Sequence, residues 1–293
     1  RRLSIDIDII VPKSVKIAEI NEILKNIVRT SSFTRYEEQE RHLSQIPKAH
    51  FKLFYESPFD QSEVYVLLDV LFEENPYSRL DSTDIVCPFI DTTPPNVTVK
   101  VPSIADILGD KLTAFAPNTT GILYDKEKEM EIIKQLFDIE SLFDQLSTTN
   151  GVKDTFIRCA EQELNYRQLT EMNYENVLDD IFKTAIIIGG RGSFDKETFL
   201  KLENGIRRIK SHIINRNYIV EEAVVSASKA AYLSMLLKYR QEDIEKYHPK
   251  ETLPELEGVP LFKKMAKIKN FSPEAYYYFA KAQELIRRSE KTK

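Results

Sequence analysis

The sequence predicts an α+β protein in which a part that mixes strands with helices is followed by an all-α helical part. Short apolar runs typical of strands occur before residue 103, and helical periodicity dominates after it. The polar run from Ser147 to Gly151 is typical of a domain boundary, so we expect domains at 1–150 and 151–293.

Strand patterns occupy residues 3–10, 49–55, 64–72 and 97–101, whereas residues 14–30 have helical spacing. Beyond the boundary, helical spacing covers residues 152–169, 177–188, 196–215, 220–238 and 273–288. The glycine-rich stretch 189–192 lacks the Gly-Lys-Ser/Thr ending of a phosphate-binding loop, so it is interpreted as a connection between two helices.

Composition excludes several classes of protein. The chain has 293 residues, 42% hydrophobic and 30% charged, which is typical of an ordered globular protein long enough for two domains. No run approaches the ~18 apolar residues of a membrane helix, so no membrane partner is expected. Cys87 and Cys159 form no Cys-x-x-Cys motif, and the four histidines are scattered, which argues against zinc and disulfides and favours a reducing, cytoplasmic location.

Two aspartates, Asp6 and Asp8, lie one residue apart in the first strand pattern. Because successive side chains of a strand point to opposite faces, both carboxylates lie on one face, with Ser4, and Ile7 lies on the other. Neighbouring carboxylates repel each other unless a cation lies between them, and Mg²⁺ prefers oxygen ligands. A merely solvated strand face would show the same alternation.

Asp69 is the only charged residue in the apolar stretch 64–72, which predicts a fully buried strand. A buried carboxylate must be protonated, ion-paired or bound to a metal ion. A partnered core aspartate, for example one paired with arginine, is the alternative. Together with Asp6 and Asp8, however, Asp69 predicts a shared metal site.

Lys111 interrupts an apolar helical stripe that includes Ile107, Leu108 and Leu112. An inward-facing lysine favours an anion, although its long stem also allows the ammonium group to reach solvent. Three carboxylates and one lysine are the groups that phosphoryl or nucleotidyl transfer requires. Two Mg²⁺ ions would stabilise the attacking and leaving oxygens, and the lysine would neutralise the triphosphate.

Three motifs resemble those of the AbiEii/AbiGii-type nucleotidyltransferase toxins, a branch of the DNA polymerase β-like superfamily. Residues 4–9, Ser-Ile-Asp-Ile-Asp-Ile, are similar to the family's Ser-x-Asp-Ile-Asp-Leu signature. Residues 101–114 resemble its Pro-Ser…Glu-Lys-Leu-x-Ala helix, and residues 134–139 resemble its Arg/Lys-Asp-x-x-Asp-Leu motif. Gln135 replaces the first aspartate of the third motif, so only Asp138 matches there.

The resemblance implies a polymerase β-like nucleotidyltransferase domain with a mixed sheet, followed by a helical domain. It implies catalytic roles for Asp6, Asp8, Asp69, Lys111 and Asp138, and nucleotide contacts by Ser4 and Lys111. It also implies an NTP substrate, a tRNA 3′ end as acceptor, a cognate antitoxin and action as a toxin or phage-defence effector. A glycine-containing turn that grips nucleotide phosphate is expected upstream of Arg1.

Two alternatives remain open at this point. The chain could be a catalytically inactive nucleotidyltransferase-like binding module, or an enzyme that modifies a small molecule with the same metal chemistry. For the RNA acceptor, basic residues of the helical part are the candidates. Arg207, Arg208 and Lys210 lie in a segment, residues 201–217, with a local excess of positive charge in a chain whose net charge is −5. A solvated helix face would have the same composition.

Overall fold

The computed structural model describes residues 6–39, 46–86, 91–124, 127–214, 216–250, 252–254 and 265–292. The chain divides into two compact units, residues 1–76 and 77–293. Ser4, which is a predicted nucleotide contact, and Cys87 lie outside the described residues.

The first unit contains a four-stranded mixed sheet and one helix. Its elements are β1 (Asp6–Val11), α1 (Ile17–Thr30), β2 (Phe33–Gln39), β3 (Lys48–Glu56) and β4 (Glu63–Phe72). The strand order is β1-β4-β3-β2, with β1 parallel to β4 and the other pairs antiparallel. The predicted mixed sheet is therefore confirmed.

Helix α1 packs on one face of this sheet because its apolar residues recur at helical spacing. Ile20 and Leu24 of α1 form a core with Phe51, Leu53 and Val70 of the two central strands. Since α1 lies over the central strands, Ile7 and Ile9 of the edge strand β1 remain 53% and 37% exposed. One face of the sheet thus holds this core, and Asp6, Asp8 and Asp69 lie on the other face.

The second unit begins with an antiparallel hairpin, β5 (Leu80–Asp84) and β6 (Thr98–Pro102), and continues with helices. The helices described are α2 (Ile104–Ala114), α3 (Glu129–Phe143), α4 (Val152–Tyr166), α5 (Tyr174–Gly189), α6 (Lys196–Ile209), α7 (Val220–Lys238) and α8 (Pro273–Thr292). Short 3₁₀ helices cover Lys210–His212 and Ala266–Asn270. Most of α7 is buried, and it packs against α3, α5 and α8 as the central helix.

Two strands and one boundary differ from the sequence-based expectations. Strands β2 and β5 were not predicted, because both are rich in polar residues and owe their conformation to pairing with β3 and β6. The predicted boundary near residue 150 lies inside the second unit, where α2 and α3 pack against helices that follow it. The compact units divide between residues 76 and 77, and the division into a nucleotidyltransferase domain at 1–150 and a helical domain at 151–293 stays a prediction.

Candidate active site

The parallel pairing of β1 with β4 places Asp8 directly opposite Asp69. Neighbouring strands are about 4.8 Å apart, and paired residues of parallel strands point to the same face. Asp6 lies opposite Leu67 and, two residues from Asp8, shares that face. The sheet therefore brings together the three aspartates that the sequence singled out.

This acidic face lies opposite the α1 side of the sheet, and it is open. Asp6 and Asp8 are exposed. The side chain of Asp69 is 31% exposed, so the prediction of a fully buried strand at 64–72 is wrong. The physical reason is that α1 covers only one face of β4, where Val70 is fully buried.

Asp69 has a partner that the sequence did not suggest. His50 of β3 lies opposite Asp69 in the antiparallel register, and its Nδ1 lies 2.7 Å from Asp69 Oδ1. Sequence reasoning treated His50 as one of four scattered histidines. The sequence feature that could have identified His50 is the alternation of side chains in β3. Because Ala49 and Phe51 are buried on the α1 side, His50 between them lies on the acidic face.

The oxygen ligands on this face fit Mg²⁺ rather than a soft metal. Within the ranges described, no three His, Cys, Asp or Glu side chains converge closely enough to hold an ion by themselves. Mg²⁺ does not require three, since it commonly keeps several waters and binds one or two carboxylates plus substrate phosphates. The pair of Asp8 and Asp69, with Asp6 beside them, meets that requirement.

In the second unit, α2 and α3 bring Lys111 and Asp138 together. Lys111 Nζ lies 3.9 Å from Asp138 Oδ2, and the two side chains are 29% and 18% exposed. The sequence predicted a partly inward lysine, and its neighbours Leu108 and Leu112 are fully buried. Asp138, the one aspartate of the third motif that matches the family pattern, is largely shielded and contacts the ammonium group of Lys111.

Helix α2 is held in place by a buried carboxylate at its first turn. Ser103 is the N-cap of α2, and its Oγ accepts a hydrogen bond from the backbone N–H of Asp106. Asp106, 1% exposed, accepts hydrogen bonds from Ser103 Oγ and Thr155 Oγ1 and from the backbone N–H groups of Ser78 and Arg79. Burial raises the pKa of Asp106, but the hydrogen bonds lower it by more than burial raises it. The pKa of Asp106 therefore lies below its ordinary value.

Gln135, where the third motif departs from the family pattern, lies one helical turn before Asp138. Its Oε1 is buried and, among the residues described, has no hydrogen-bond partner. A buried acceptor without a donor costs about 1–3 kcal/mol, so Gln135 lowers stability at this position.

The predicted RNA-contacting residues Arg207, Arg208 and Lys210 are exposed at the end of α6. Arg207 forms an i,i+4 ion pair with Glu203, 2.6 Å between nitrogen and oxygen. Arg216 belongs to the same basic segment, but it forms an ion pair with the buried Glu140. The basic surface is therefore smaller than the charge count of the segment indicated.

The mixed four-stranded sheet and the helices that follow it are consistent with a nucleotidyltransferase fold followed by a helical region. The chain belongs to the AbiEii family, because the family model described as "Nucleotidyl transferase AbiEii toxin, Type IV TA system" matches residues 1–244. The predicted family, fold class and enzyme class are thus confirmed. Comparisons with curated proteins and with solved structures find no significant match.

Membership of this family assigns the chain to the toxins of type IV toxin–antitoxin systems, with an NTP as substrate and an antitoxin as partner. In the part of the chain that the structure describes, none of the helices combines the length and apolar character that a membrane crossing requires.

Proposed function

We propose that the chain transfers a nucleotide from an NTP to the 3′ end of a tRNA in a reaction that depends on Mg²⁺. The observation that carries this proposal is the pairing of Asp8 with Asp69 on the open face of the sheet, with Asp6 beside them. Mg²⁺, with two ions as the expected number, would neutralise phosphate charge and lower the barrier to displacement at the α-phosphorus.

The residues of the chain have distinct parts in this reaction. Asp6, Asp8 and Asp69 would supply oxygen ligands to Mg²⁺, and Asp69 also accepts the proton of the attacking hydroxyl. The hydroxyl oxygen forms a bond to the α-phosphorus, the α–β phosphoanhydride bond breaks, and pyrophosphate leaves with the electron pair. Lys111 neutralises triphosphate charge, and Asp138 orients the ammonium group of Lys111 through their 3.9 Å contact. Ser4 is proposed to contact the nucleotide.

Incubation with labelled NTPs, Mg²⁺ and total RNA tests this proposal. We expect Asp8→Asn to lower the transfer rate by more than about 100-fold, since even outer partners of metal ligands affect activity by 10- to 100-fold. The matched control is Asp84→Asn on the exposed strand β5, where Asp84 accepts a hydrogen bond from Thr98. That variant should retain wild-type transfer.

Equal transfer by wild type and Asp8→Asn, both shown to be folded by circular dichroism, would refute the metal assignment. Transfer to a small molecule but not to RNA would instead favour the enzyme with a small-molecule acceptor. Nucleotide binding without transfer to any acceptor would favour the inactive binding module.

The RNA surface requires a separate test, because it depends on Arg207, Arg208 and Lys210 rather than on the acidic face. Reversal of these three charges to glutamate should weaken tRNA binding and reduce the slope of log affinity against log salt by about 2, since each lost phosphate contact removes about 0.7. The control reverses three exposed charges at helix α1, namely its N-cap Lys16 and, within the helix, Lys25 and Arg29. Equal salt slopes for the two triple variants would exclude α6 as the RNA-binding surface.

A further inference from the structure

The contact between His50 and Asp69 joins three strands in one row across the acidic face. His50 of β3 pairs with Asp69 of β4, and Asp69 pairs with Asp8 of β1. The His50 side chain is 13% exposed, less than half of the 31% exposure of Asp69. The imidazole therefore supports Asp69 from the inner side of the sheet, and Asp8 lies on the opposite side.

The direction of this hydrogen bond follows from the chemistry of the two groups. In the proposed role Asp69 is an ionised carboxylate, which can only accept, so Nδ1 of His50 is the atom that donates to Asp69 Oδ1. A carboxylate has two oxygens and about four lone-pair directions. Oδ2 of Asp69 can therefore bind a metal ion or accept a hydroxyl proton while His50 holds Oδ1.

An aspartate in this row needs such support. The terminal torsion of an aspartate side chain is broad, so the carboxylate does not fix its own orientation. Asp8 of β1 lies beside Asp69 on the same face, so rotation about that torsion would change which neighbour the carboxylate of Asp69 faces. A donor on the β3 side opposes that rotation in the absence of any ligand.

We propose that His50 is a positioning residue, which orients the carboxylate of Asp69 for metal binding and proton acceptance. The inference rests on the proposed function, since it assumes that Asp69 acts in nucleotidyl transfer. His50 itself touches neither nucleotide nor acceptor in this role. Its substitution should therefore change the affinity for the metal and kcat, and leave KM for the NTP unchanged.

The test measures Mn²⁺ affinity by electron paramagnetic resonance without nucleotide, together with kcat and KM for nucleotidyl transfer. His50→Ala should weaken Mn²⁺ binding and lower kcat by about 10- to 100-fold, the range observed for outer partners of metal ligands. His50→Asn should restore most of both, because the asparagine Nδ2 can donate from nearly the position of Nδ1. The control is His212→Ala, in the exposed 3₁₀ helix, which should behave as wild type.

A double substitution distinguishes orientation of the Asp69 carboxylate by His50 from a general packing role of His50. This test remains valid even where His50→Ala lowers the stability of the protein. In the Asp69→Asn background, His50→Ala should cause no further loss of Mn²⁺ affinity or kcat, because the group that His50 orients is already absent. Additive losses, an Mn²⁺ affinity of His50→Ala equal to that of wild type, or an equal defect in a folded His50→Asn would overturn the proposal.

Failure of the proposed function has a different signature. Wild type that binds Mn²⁺ with the expected dependence on His50, but transfers no nucleotide, would refute the proposed reaction and leave the positioning role intact. Wild type that binds no Mn²⁺ would overturn both.

Discussion

Acidic side chains on the sheet of the first unit lie on an open face, whereas those at the centre of the helical unit are buried and surrounded by cations. Asp8 of β1 and Asp69 of β4 lie side by side on neighbouring strands. Glu140 of α3, by contrast, is 6% exposed and contacts Arg216, Ser226 and Lys229.

The helical cluster extends through Lys229 of α7, which is 4% exposed and lies 2.8 Å from Asp144 and 2.9 Å from Glu274 of α8. Burial lowers the pKa of Lys229, but its acidic partners raise the pKa by more than burial lowers it. Lys229 therefore stays charged. Charges that are buried and paired hold helices together. Like charges gathered on an open face instead indicate a site for a ligand of opposite sign, which is the lesson of the comparison.

The strongest test of this contrast is Glu140→Ala. Loss of Glu140 removes the carboxylate that Arg216 and Lys229 share, and breaking a buried pair costs about 3–5 kcal/mol. The cost should lie near the lower end of that range, because Lys229 keeps Asp144 and Glu274, and Arg216 keeps Glu222. Urea denaturation should show that decrease in the free energy of unfolding, with unchanged transfer activity per folded molecule. Glu203→Ala, which removes the exposed i,i+4 pair with Arg207, is the control and should cost about 0.3–0.5 kcal/mol. Equal losses in the two variants would show that burial does not distinguish the two pairs.

A smaller effect is expected at Asp106, a buried carboxylate held by hydrogen bonds rather than by cations. Asp106→Asn places an amide donor against the hydroxyl donors of Ser103 and Thr155, which should cost about 1–3 kcal/mol at pH 7. The folded-state pKa lies below the ordinary value of about 3.9, so this stabilisation is present above pH 3.9 and is lost as the pH falls through the folded-state pKa.

Urea denaturation at pH 7 and at successive values below 3.9 measures the pH dependence of Asp106. The difference in unfolding free energy between wild type and Asp106→Asn should narrow as the pH falls. Asp154→Asn in the exposed first turn of α4 provides the control, with a loss of about 0.3–1 kcal/mol. A difference that stays constant with pH would contradict the lowered pKa.

Sequence patterns predicted the elements whose side chains repeat at one period. The match is complete for α7, predicted and observed at residues 220–238, and close for β3 and β4. Strand β2 was missed because its central residues are polar, and the neighbouring strand determines its conformation.

For the candidate site, too, local patterns in the sequence identified some residues, and residues that depend on pairing between strands were missed. Asp6, Asp8 and Asp69 were found because a charge in an apolar strand is visible along the sequence. His50 was missed because its significance comes from a residue 19 positions away in the neighbouring strand. Pairing between strands is a property of the fold, and a local pattern does not contain it.

The parallel register of β1 and β4 also has a consequence for the order in which activity appears during folding. Asp8 and Asp69 are about sixty residues apart in the chain, whereas β2, β3 and β4 pair between near neighbours. Closure of long loops is slower than formation of adjacent hairpins. A chain with its antiparallel strands formed but β1 undocked would therefore hold Asp69 and His50 without Asp6 and Asp8. On the proposed site, nucleotidyl transfer therefore requires that β1 has docked beside β4.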